Sequence, residues 1–263
     1  MISLRWPGAV ALLLVTLVGM ASFGWPFVVA PGTGLAHGQD APWLFAALLG
    51  LLALVLLAEV SAGGLDPRTV AVLGVLAATG GALRVLSAGT AGLEPMFFLL
   101  VLAGRVLGRS TGFVLGALAV LTGAFLTGGV GPWVPFQMVS AGWVALGAAL
   151  LPPATGRAER VMLAAYGLGA GLLYGAVMNL WFWPFMGASA PTGAGFVPGA
   201  EVSSNLGHYA AFYLATSLGW DVPRGLLTAA LVLVAGRPVL ATLRRAVRRA
   251  AFDAEVIFED PDR

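Results

Sequence analysis

The side chains of this chain that could do chemistry are chiefly amides and aromatic rings, and they gather in three places. Trp133 and Gln137 lie where GGVGPWVP gives way to an apolar run; Asn179, Trp181 and Trp183 close another in YGAVMNLWFWPF; Asn205, His208, Tyr209 and Tyr213 share NLGHYAAFY. Stacking rings and orienting amides suit a pocket for a flat polar ligand, in which mostly apolar walls carry a few placed polar groups. Asn179 is the sharpest case, because a polar side chain inside an apolar helix is costly in a membrane and so tends to be functional. Plainer roles exist for each. Interfacial Trp and Tyr form aromatic belts, Asn179 can bond a neighbouring helix, Gln137 can cap a helix start, and His208 and Tyr209 can face water.

Catalysis finds fewer residues. The chain has no cysteine and two histidines, His37 and His208, and HExxH does not occur, so thiolate chemistry is excluded and a zinc site lacks ligands. A serine nucleophile would have to be Ser189, in a loop, with His208 as its base. The phosphate loop GxxxxGK[ST] is missing. Glu59, Glu94 and Glu159 fall near the ends of apolar runs rather than at the mid-membrane position a proton-coupled carrier uses. The expectation is a protein without catalytic residues, metal or cofactor.

The elements that must position these groups are membrane helices. Hydrophobic residues make up 59% and charged residues 10% of the 263 positions, against about 25% charged in soluble domains. All 14 basic residues are arginine and the net charge is +2; the arginines sit at the ends of apolar runs and in the tail, which does not suit nucleic acid. Eight spans are expected, near residues 7–29, 43–57, 70–86, 96–106, 112–127, 136–151, 161–185 and 226–243. Ala30 ends a short small-residue stretch that would also fit a signal-peptide cleavage site, but the run is longer than such peptides use. Arginine-bearing connections stay cytoplasmic, which places Arg105 and Arg109, the turn with Arg157, Glu159 and Arg160, and the RRAVRR run inside. The uncharged loop before Trp133 and the long segment 186–204 then lie outside. Counting 205–220 as a crossing would expel RRAVRR, so it is read as an interfacial or re-entrant helix on the outer face. Arg84 and Glu94 flank the outer loop 87–94 as a weak surface pair. Gly74, Ala78 and Ala82 recur every fourth residue and leave one helix face almost bare, as close helix contact in lipid requires; that contact is either internal or with another subunit.

The order of a small-residue helix, EPMFF, LAGRVLGRSTGFVLGAL, an outer Gly/Pro loop and VPFQM, followed by FYLATSLGWDVPRGLLTAALVLVAGRPVL, resembles the membrane-embedded substrate-binding (S) component of energy-coupling factor (ECF) vitamin importers, in their actinobacterial form. The likeness spans about residues 68–249. It implies an all-α polytopic bundle with a six-helix core over 66–250, preceded by two additional helices in 1–65 and followed by an acidic tail, 251–263. It further implies capture of a water-soluble vitamin or precursor from outside, and docking through Gly74, Ala78 and Ala82 onto a transmembrane T component served by two ATP-binding subunits. Trp133, Gln137, Asn179, Trp183, Asn205, His208 and Tyr209 would line the pocket. The two extra helices depart from the six-helix pattern. A structural or assembly protein without a ligand, or a secondary transporter, are the alternatives.

Overall fold

The computed structural model describes residues 6–28, 67–87 and 89–251; the expected span at 43–57, the loop 31–42 and all but the first residue of the acidic tail lie outside them. Among the described residues the chain is all-helical, with α1 (Trp6–Gly24), α2 (Pro67–Val85), α3 (Met96–Leu107), α4 (Arg109–Thr127), α5 (Val134–Leu150), α6 (Gly156–Phe182), α7 (Val202–Thr216) and α8 (Leu218–Ala251). Five stretches, Ala9–Phe27, Pro67–Val85, Arg109–Thr127, Gly156–Phe185 and Leu218–Arg248, are long and apolar enough to cross a membrane. The protein is a multi-pass helical membrane protein.

α3 is the exception that explains the core. Its 12 residues rise only about 18 Å, yet it is the most enclosed of the described helices, with Phe97, Leu100, Val101, Leu102 and Ala103 fully buried. Neighbours α4, α5 and α8 pack around it, so little of it meets lipid and it need not match the bilayer thickness. Gly108, at φ +92°, is the one residue between α3 and α4, a backbone region open at little cost only to glycine.

Helices in lipid gain nothing from hydrophobicity against each other, so close backbone approach has to hold them. The seam between α6 and α8 does this with Gly167, Gly171 and Gly175, spaced every fourth residue. A methyl placed on Gly167 would come within 2.6 Å of the Thr228 methyl, one on Gly171 within 2.7 Å of the Gly225 Cα, and one on Gly175 would overlap the Asp221 carboxylate. α2 meets α4 in the same way, Gly80 against Ala119 and Gly81 against Thr122. The stripe Gly74, Ala78, Ala82 is not part of this seam. The buried face of α2 is Thr69, Leu73, Ala77, Gly80 and Gly81, whereas the stripe is exposed.

α1 is docked on α5: Gly19 lies under the Trp143 ring and Val139, the Trp143 indole N–H donates to Thr16 at 3.3 Å, and Phe23 meets Phe136 edge-on at 5.1 Å.

Three boundaries differ from the sequence expectation, the first being α6, which begins at Gly156, so that Arg157, Glu159 and Arg160 lie in its first turns and not in a connecting turn. The outer helix stops at Thr216 instead of running to Trp220, and the last helix begins at Leu218, eight residues earlier than the apolar run suggests. Hydropathy hid the early turns of α8 because they contain Asp221, Pro223 and Arg224; the two charged residues pair with each other, and Arg224 with Glu94, inside the bundle.

Candidate functional site

Antiparallel stacking sorts the charged side chains to two ends. One end gathers the C-terminus of α3, the N-termini of α4 and α6, and the C-terminus of α8, with Arg105, Arg109, Glu159, Arg244 and Arg248. Here Glu159, 1% exposed, accepts from Arg105 at 3.0 Å and Arg244 at 2.6 Å. Arg105 also donates to the carbonyls of Leu151 and Pro152 at 2.7 and 2.9 Å, satisfying groups that the end of α5 would otherwise leave open.

The opposite end holds a cavity of about 450 Å³ lined by residues of α2, α4, α5, α6 and α8 and by Ser87 and Glu94 of the α2 to α3 connection. Arg224, placed there by the early start of α8, donates to Glu94 at 3.0 Å and to Asp221 one turn away. Its guanidinium carbon lies 5.4 Å from the Phe97 ring centre and 5.2 Å from that of Tyr174, and those rings meet edge-on at 4.7 Å. Planar, charged and ring-stacking, a guanidinium fits this socket as an ammonium would not. Gly175 supplies the space for Asp221. Arg84 donates to the Gln137 side-chain oxygen at 2.6 Å. The expected Arg84 to Glu94 pair is therefore not the one formed: each turns into the bundle to a different partner, where burial raises the value of the bond. Arg84 and Arg224 also stand apart from the arginines gathered at the other end.

Of the expected pocket residues, Gln137 and Asn179 line this cavity. Asn179 is 8% exposed and its amide nitrogen has no protein partner, an arrangement buried amides rarely keep without water or a ligand. The remainder do not line it. Trp183 is fully buried, packs on Tyr209 at 5.1 Å and donates its N–H to the Ala194 carbonyl at 2.8 Å. Asn205 bonds both the N–H and the carbonyl of Val197, at 3.0 and 2.8 Å, and the Tyr209 hydroxyl donates to the Ala176 carbonyl. These three fasten the segment 186–200 and α7 to the end of α6, and no ring face of Trp183 is left for a ligand. Trp133 is exposed, donates to Gly129 at 3.2 Å and stands 6.3 Å from Trp181. His208 is half-buried on α7, away from the cavity lining.

No protein-family model, curated protein or solved structure matches this chain.

Sequence reasoning missed Tyr174, Asp221 and Arg224, which make up the most distinctive part of the cavity wall. The available signal was DVPRG itself: an acid and a base three residues apart beside an apolar run, a spacing that shares one helix face. Nearby, burial, reinforced by the Asp221 carboxylate, pushes the Tyr213 phenol on α7 up to about 12. It stays protonated across physiological pH, and its hydroxyl donates to the Leu172 carbonyl at 3.3 Å.

The cavity has two chemical sides. Arg84, with a neutral amide as partner, and the spare Asn179 N–H face anionic or acceptor groups; Glu94 and Asp221, sharing one guanidinium, offer acceptor capacity. Such a site can hold a small solute carrying both donors and acceptors, and no group in it is set up as a nucleophile next to a base.

Proposed function

We propose that the protein is the substrate-capture subunit of an ATP-driven importer of the ECF type, taking a small water-soluble vitamin or precursor into the Arg84/Asn179/Arg224 cavity. The observation that carries the reading is the unpartnered, buried Asn179 amide aimed into a charge-lined cavity in an apolar bundle. Its supports are independent of one another. The six helices α2, α3, α4, α5, α6 and α8, with α7 as a short outer helix, agree with the core that the sequence resemblance implies. A volume of about 450 Å³ lies low in the range of about 300–1,000 Å³ for ligand pockets and suits a small ring compound rather than a corrinoid. The arginine-rich end is then cytoplasmic by the positive-inside rule, in the plasma membrane, with both termini inside and the cavity opening outward. ATP hydrolysis belongs to the two partner subunits, and the exposed stripe Gly74, Ala78, Ala82 is the face offered to the T component.

The primary test is mass spectrometry of small molecules that co-purify with the detergent-solubilised chain. One vitamin-sized compound is expected, bound by the parent and lost at least tenfold in Asn179→Leu without a change in helicity or elution. Equal retention by that variant, or no ligand at all, would favour the structural-protein alternative. Ala78→Leu is expected to keep the ligand and abolish uptake, because the added side chain stands on an exposed face; loss of ligand binding there would remove the docking assignment. Uptake that survives ATP depletion and collapses with an uncoupler would replace the ATP-driven reading by secondary transport.

A further inference from the structure

The arginine-rich end carries a feature that substrate capture does not use. A groove of about 760 Å³ runs between the end of α3, the α5 to α6 turn and α8, and brings Arg105, Arg109, Arg244 and Arg248 around a single carboxylate, Glu159. That carboxylate is already shared by Arg105 and Arg244. Arg109 and Arg248 are exposed and make no hydrogen bond or ion pair among the described residues. Gathering like charges raises the energy of the folded state unless an anion joins them. The groove also receives two helix N-termini. Gly108 and Thr155 occupy the N-cap positions of α4 and α6 without a side-chain cap hydrogen bond at either end, so first-turn N–H groups and the positive ends of both helix dipoles remain open to an anion.

We infer that this groove binds the phosphodiester headgroup of an anionic phospholipid. Guanidinium groups take phosphate oxygens in pairs, and basic pockets between membrane helices are where such headgroups settle. Lipid is favoured over a free anion because the same groove has an apolar flank, Val106, Ala149, Leu150 and Val247. Leu150 is 55% exposed, so acyl chains can continue along the helices from a headgroup held by Arg109 and Arg248. The inference does not depend on the vitamin reading.

Native mass spectrometry of the full chain in mild nonionic detergent, offered phosphatidylglycerol or phosphatidylcholine, tests it. Phosphatidylglycerol is expected to be retained at least tenfold over phosphatidylcholine. Arg109→Gln with Arg248→Gln should abolish that preference, whereas Arg237→Gln with Arg245→Gln, which removes the same number of charges from α8 outside the groove lining, should keep it. The lysine pair Arg109→Lys with Arg248→Lys should hold part of the preference, separating loss of charge from misfolding. Equal binding of both lipids, an unchanged preference in the glutamine pair, or displacement of the lipid by excess inorganic phosphate would overturn the assignment, the last by showing a site for the bare anion.

Discussion

Arg224→Met is expected to lower the stability of the folded bundle by about 3–5 kcal/mol, the cost of leaving buried charges without their partner, and to eliminate ligand binding. Glu94 and Asp221 both depend on this guanidinium, and Asp221 is 2% exposed. Removing the cation leaves the buried Asp221 carboxylate and its neighbour Glu94 at the cavity wall without their shared partner, so that Asp221 would have to be protonated or hydrated at the expense of packing. Arg224→Lys should restore little, because an ammonium has no planar face to lay over the rings of Phe97 and Tyr174 while reaching both carboxylates. Adding Glu94→Gln and Asp221→Asn to Arg224→Met should recover most of the stability and none of the binding, since the orphaned charges are gone and the cavity wall has changed. Denaturant titration in micelles, followed by helicity, measures the first effect and ligand retention the second. Parent-like stability of Arg224→Met alone would mean that the charged triad is hydrated rather than enclosed.

Gly175→Val should be comparably damaging by a different route. Any Cβ at this position overlaps the Asp221 carboxylate, so the seam between α6 and α8 must open, the Asp221 to Arg224 contact must break, or both. Forcing volume into a packed seam costs about 1–3 kcal/mol, more where backbone blocks relaxation, and here it also disturbs the ion triad. Gly169→Ala is the internal contrast. A methyl at Gly169 meets nothing within 4 Å, and alanine improves a helix interior by about 0.5–1 kcal/mol over glycine. The two variants, six residues apart on the same helix, are thus expected to shift unfolding in opposite directions. If both were neutral, the close approach of α6 and α8 would not be what holds that side of the bundle together.

The contrast between Gly175 and Gly74 shows what pattern reading could reach. Both belong to glycine and alanine series at four-residue spacing, and spacing alone identifies a bare helix face without saying what lies against it. In α6 the face is filled by α8; in α2 the same kind of face is exposed, while Leu73, Ala77, Gly80 and Gly81 carry the packing. The aromatic residues teach a similar lesson. Trp183 and Tyr209 were expected to form a ligand wall together with Asn179, and they do lie together, but they pack on each other and donate to the carbonyls of Ala194 and Ala176. Asn179, whose nitrogen finds no protein partner, is left in the cavity.

Composition and the distribution of arginine determined by themselves that this chain is a multi-pass helical bundle, because apolar run length and charge placement are set residue by residue against the bilayer. They also picked out Gln137 and Asn179, whose polarity conflicts with their neighbours. The helix boundary at Leu218, the partners of Arg84 and Glu94, and the cavity built around Arg224 were decided only by tertiary structure. A buried charge is tolerated or not according to which side chains from distant parts of the chain surround it, and Phe97, Tyr174 and Glu94 lie 50 or more positions away from Arg224.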